Sequence, residues 1–205
     1  MKFKTLFCSL ILLFFISACS ETEIPVEGKQ YQQLPKALNS EQFAPITEVF
    51  SLNCGHCRKM ENIIPVLQKM LGQDIAKMHI VFNPSAKISA MFYYAAELQT
   101  GNTPDHQFML DLFSATQMPK ESTQEQRIDA MNKVFTSRGL ISPLNYDEAQ
   151  INTLLKRVEE ITQLSVQSKI NAVPTFIVKG KYQVITSGHD TTEKVAATIK
   201  YLLEK

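Results

Sequence analysis

Pro45-Ile46-Thr47-Glu48-Val49-Phe50-Ser51-Leu52-Asn53-Cys54-Gly55-His56-Cys57 decides how the rest of the chain is read. The first eight residues are rich in β-branched and aromatic side chains, which predicts a strand ending just before Cys54. Met60, Ile63, Ile64, Leu67 and Leu71 then recur at spacings of three and four, which predicts a helix that Pro65 should kink. After Gly72 and Asp74, residues 78–82 read as a second strand. A strand, a helix and a strand in that order form the unit of a parallel sheet.

Beyond Pro84 the period changes to that of a helix. Ile88, Met91, Phe92, Ala95 and Leu98 fall on one face, as do Ile151, Leu154, Leu155, Val158 and Ile161 further on. Breaks are expected at residues 101–104, 118–119 and 139–143, where Gly and Pro gather. Residues 84–170 therefore read as all-helical. Pro174 to Val178, a turn at Lys179-Gly180-Lys181, residues 182–186 and an amphipathic end with Val195, Ile199 and Leu202 give strand, strand, helix. The expected fold is α/β: a mixed sheet closed by the terminal helix and interrupted by a helical insertion. Residues 37–83 and 171–205 are read as its two parts, and the 187 residues after residue 18, less the 87 of the insertion, leave 100, close to the size of a minimal thioredoxin domain.

The C-x-x-C pair lies where a strand meets a helix, and the position has chemical consequences. Free N–H groups and the positive end of the helix dipole both favour an anion, so Cys54 should lose its proton easily. His56, when cationic, adds to that field. Thiolate stabilisation favours the reduced form and makes the disulfide a better oxidant, with Cys57 as the resolving thiol. Two other uses of cysteine stay open but lack parts. Zinc wants four ligands, whereas His79, His106 and His189 are scattered and no second C-x-x-C exists; covalent haem wants His directly after the second cysteine, where Arg58 stands. No cofactor is expected.

The N-terminus is read as an export signal. Lys2 and Lys4 precede a short apolar run that ends at Ser17 and Ala18, too short to span a bilayer. Ile16-Ser17-Ala18-Cys19 resembles a bacterial lipobox, in which Cys19 would be acylated and become the first mature residue; the alternative is an ordinary cut near Ala18. Ser20, and not Asp, follows Cys19, which in the lipoproteins that this tetrad resembles goes with transfer to the outer membrane. Loss of residues 1–18 leaves 19 basic residues against 20 acidic ones, so no basic stripe suits nucleic acid. Of four cysteines, only Cys54 and Cys57 then remain as thiols in the folded part, too few for a disulfide scaffold. Residues 19–36, with Pro25, Gly28 and Pro35, read as a lipidated end and tether.

These residues together resemble DsbA, the family of bacterial periplasmic thiol oxidases in the thioredoxin superfamily. The likeness is carried by Gly28-Lys29-Gln30-Tyr31 with Leu34, Glu48-Val49-Phe50-Ser51 before Cys54, Val173-Pro174, and Gly180-Lys181-Tyr182-Gln183-Val184. It implies a cis Pro174 facing the disulfide, with the backbone beside it receiving a client chain as an added strand. It also implies that Glu48, Glu61 and Lys77 form a charged cluster beneath the cysteines. Reduced, unfolded exported proteins would be the clients, and a quinone-linked membrane partner resembling DsbB would restore the disulfide. The family's common Pro is Gly55 here, which implies a milder oxidant. An isomerase or reductase in the same compartment is the rival activity, disfavoured by Val173, where isomerases more often carry Thr; a non-enzymatic metal- or client-binding lipoprotein is a third reading.

Overall fold

A computed structural model of the chain describes residues 24–38, 43 and 45–205. The signal, Cys19 and residues 20–23 of the expected tether lie outside the described residues. Strands β1 (Tyr31–Gln33), β2 (Ile46–Phe50), β3 (Ala76–His79), β4 (Thr175–Val178) and β5 (Tyr182–Val184) form one sheet in the order β1-β5-β4-β2-β3. Only β2 and β3 run parallel; the other three pairings are antiparallel. Helices α1 (Gly55–Glu61) and α2 (Ile64–Leu71) join β2 to β3, and α7 (Thr192–Glu204) ends the chain. Between β3 and β4 stand α3 (Pro84–Thr100), α4 (His106–Thr116), α5 (Gln124–Thr136) and α6 (Glu148–Ser168). This is the thioredoxin fold with a helical insertion.

The alternation of β4 explains how the sheet holds two cores. Phe176 and Val178 face the core built with Ile64, Leu67, Ile199 and Leu202 of α2 and α7. Ile177 points the other way, into the larger core shared with Tyr93, Leu112, Phe135 and Val158 of the insertion. Every residue of β2 is buried, as suits a strand covered on both faces. The active-site end of β2 is thus fixed from above and below.

Local signals bound the helices. Asn83 caps α3 by accepting from the Ala86 N–H at 2.9 Å, with Pro84 in the first turn, and Asp105 does the same for α4 through Phe108 at 2.8 Å. Thr123 with Gln126 and Asp147 with Gln150 form capping boxes for α5 and α6. Gly72 and Gly101 end α2 and α3 with φ of 68°, a conformation that glycine adopts without strain. The expected kink at Pro65 is a full break at Asn62 and Ile63, with Pro65 in the first turn of α2, where its missing N–H costs nothing.

Four expectations need correction. Part of the stretch read as a tether is strand β1, because Tyr31 buries its ring 6.1 Å from Tyr182 and pairs with Val184. The second strand lies at 76–79 and not 78–82: its ladder with β2 runs from Thr47↔Ala76 to Phe50↔His79, and Phe82 is exposed. Lys77 made the true strand look polar. On α3 Ala95 is buried as expected, but it is joined by Ala90, Tyr93, Tyr94 and Ala96, while Ile88 and Leu98 are exposed. On α6, Leu154, Val158 and Ile161 are buried as expected but Leu155 is exposed.

Candidate active site

The site begins where β2 leaves the sheet. The Cys54 N–H donates to Ser51 O at 2.9 Å, closing a turn that sets Cys54 as the N-cap of α1. Its sulfur accepts from the Cys57 N–H at 3.3 Å, one of the donors that a helix start leaves unpaired. Both cysteines are free thiols; Cys54 is half-buried and Cys57 fully buried. Their environments separate them. Donation from the Cys57 thiol, with backbone N–H groups of Cys57 and His56 behind it, lowers Cys54 to about 6 against the opposing effect of burial. That same bond to Cys54, then burial, pushes the Cys57 thiol far above the ordinary range.

His56 is exposed, and its charge adds least of these causes to the stabilisation of Cys54. The helix-start geometry outweighs the imidazole. Gly55 is exposed too, and a Cβ there would meet nothing within 4 Å, so neither crowding nor backbone angle demands glycine.

Across the gap, the Val173–Pro174 peptide is cis. Val173 O accepts from Cys54 Sγ at 3.6 Å, and Thr186 Oγ1 holds the next carbonyl, that of Pro174, at 2.9 Å. The two motifs far apart in sequence therefore meet at one sulfur. Val173 and Pro174 are partly exposed beside it.

Beneath the pair lies a buried cluster. Lys77 Nζ on β3 donates to Glu48 on β2 and to Glu61 at the end of α1, the latter at 2.7 Å. All three side chains are nearly inaccessible. Burial raises the Glu48 carboxyl despite Lys77, and both carboxylates hold the Lys77 ammonium above its ordinary value against the pull of burial. The negative charge of Glu48 also disfavours ionisation of Cys57, and a Cys54 thiolate in turn raises the Glu48 carboxyl.

Several contacts had no signal in the sequence. Gln117, just past α4, donates to Leu52 O at 2.7 Å and to Cys54 O at 3.1 Å, so the insertion grips the active-site turn directly. Asn53 donates to Ser85 at 2.7 Å, and Arg58 to Ser114 at 3.0 Å. His106 on α4 lies 3.0 Å from the second oxygen of Glu61. His79 accepts from the Leu52 N–H. Spacing cannot reveal partners 27 to 65 residues apart.

The chain is similar to known proteins. A family model described as Thioredoxin matches residues 39–201. The thiol:disulfide interchange protein DsbA of Salmonella typhimurium is 28% identical over 208 residues, covering 96% of this chain and 95% of that protein. Crystal structures of DsbA from Pseudomonas aeruginosa and Proteus mirabilis share the fold, with TM-scores of 0.68 and 0.64 at 21% and 22% identity. The first covers 88% of this chain and 93% of its own, the second 91% and 100%.

Proposed function

The chain belongs to the thioredoxin family, and from that premise we propose that it is a DsbA-like periplasmic thiol:disulfide oxidoreductase whose chemistry runs through Cys54 and Cys57. The carrying observation is the asymmetry of the two thiols: one stabilised as an anion and reachable, its neighbour buried and held protonated.

In the disulfide form, a client thiolate attacks Cys54 Sγ. A client–Cys54 bond forms, the Cys54–Cys57 bond breaks, and Cys57 leaves with the electron pair and takes up a proton. A second client thiolate then attacks the client sulfur of this mixed disulfide. Cys54 departs as the thiolate that its surroundings favour, the client has lost two electrons, and the enzyme has gained them. Val173 and the cis Pro174 would align the client backbone beside Cys54 as an added strand. Glu48, Glu61 and Lys77 would set the field under the pair. Reoxidation falls to a membrane partner of DsbB type, and the clients are unfolded exported proteins.

The same reading divides the chain into a helical insertion at 84–170 between two thioredoxin parts, and makes Cys19 a lipid anchor on the outer membrane. The tetrad Ile16-Ser17-Ala18-Cys19 supports the anchor, and acyl chains on one residue would hold the enzyme firmly, at about 0.8 kcal/mol per buried CH₂.

Expression of a Cys57→Ser variant in bacteria, followed by non-reducing electrophoresis, tests the chemistry. Mixed disulfides with exported proteins should accumulate through Cys54, because the resolving thiol is gone. No trapped adduct would refute Cys54 as the nucleophile. Cys19→Ala in the same cells should release the enzyme from membranes after a high-salt wash; continued sedimentation would refute the anchor without touching the chemistry.

A further inference from the structure

His79 is fully buried at the last position of β3, and no step of thiol exchange uses it. Its imidazole Nε2 lies 2.9 Å from the Leu52 amide nitrogen and 3.2 Å from Ser89 Oγ, and its Nδ1 lies 3.0 Å from Ile80 O. An amide N–H only donates and a carbonyl only accepts, so Nε2 is the acceptor and Nδ1 carries the proton. The ring is neutral and of one tautomer. Burial holds it so, lowering its pKa to about 3.

The place of this bond matters. The β2 ladder ends at Phe50, whose carbonyl takes the Ile80 N–H at 2.9 Å. The chain then leaves the sheet through Ser51, Leu52 and Asn53 to reach Cys54. Leu52 is fully buried, so its N–H would be an orphan costing about 1–3 kcal/mol without a partner. His79 supplies that partner, and Gln117 donates to the carbonyl of the same residue. Leu52, inside the turn that leads to Cys54, thus has both its N–H and its carbonyl held by side chains.

We propose that His79 is a positioning residue for thiol exchange, its Nε2 holding the Leu52 peptide so that Cys54 Sγ stays at the start of α1 opposite Val173. The claim rests on Cys54 being the nucleophile. His79→Phe keeps the ring, which packs edge-on to Phe50 with centroids 5.1 Å apart, but removes the acceptor. His79→Gln restores an acceptor.

Thiolate titration and equilibration with glutathione read the effect in folded protein. The Phe variant should raise the Cys54 pKa by at least half a unit and shift the glutathione equilibrium at least threefold toward the disulfide, roughly 15 mV. The Gln variant should recover most of both. Unchanged titration and equilibrium in a folded Phe variant would overturn the proposal. If that variant does not fold, the Gln variant and wild-type nitrogen resonances decide. A scalar coupling across the Leu52 N–H to Nε2 bond and a proton on Nδ1 at neutral pH support the clamp; a proton on Nε2 overturns it. Trapping by Cys57→Ser in the wild-type background separates failure here from failure of the Cys54 assignment.

Discussion

Lys77 and Glu61 meet at 2.7 Å with both side chains buried, and through this bond the far end of α1 is tied to β3 under the cysteine pair. Lys77 also serves Glu48, so one cation answers two carboxylates.

Lys77→Met should therefore leave Glu48 and Glu61 buried without their cation. The expected loss of stability is about 3–5 kcal/mol, since removal of one partner strands buried charge. Chemical denaturation of the reduced enzyme at neutral pH measures it. Adding Glu48→Gln to Lys77→Met should recover part of the loss, because Glu61 keeps His106. A single-variant loss below about 1 kcal/mol would contradict the account.

His56→Ala should raise the Cys54 pKa, but less than Cys57→Ala does. The Cys57 thiol is the largest contributor to the lowered value and the His56 charge the smallest. Parallel titration of both variants checks the order, and a larger effect at His56 would reverse the weighting drawn from the geometry.

Stability should rise with pH between about 3 and 6.5 by a contribution from His79. In that window the unfolded imidazole binds a proton that the native one refuses, so the contribution is lost as pH falls. Its slope is roughly 1.4 kcal/mol per pH unit. Urea midpoints of wild type and His79→Phe across the window should converge toward acid pH; parallel curves would count against a buried neutral histidine.

The parts of this fold that the sequence announced are those with local codes. Richness in β-branched and aromatic residues located β2, glycine and proline punctuation located β4 and the breaks between helices, and the C-x-x-C spacing marked the cysteine pair at the start of α1. Strand β1 was hidden because three residues carry too little pattern, and its burial comes from Tyr182 and Tyr201 across the fold. On α3 the apolar stripe of Ile88 and Leu98 misled, since Tyr93 and Tyr94 bury their rings and bond their hydroxyls to the backbone of Lys77 and His79. Gln117, His106 and His79 act through long-range hydrogen bonds, for which spacing holds no code. The weight first given to His56 fell for the same reason: the Cys57 donors that outweigh it become visible only when the helix start is built.

Titration of the Cys54 thiolate by its ultraviolet absorbance, in the reduced wild-type enzyme, bears most directly on the central claim. The account predicts a single transition near pH 6, with Cys57 still protonated through the neutral range. The ordinary thiol value is about 8.5. A transition at that ordinary value, or two thiols ionising together, would contradict the assignment of Cys54 as an activated nucleophile beside a buried resolving thiol.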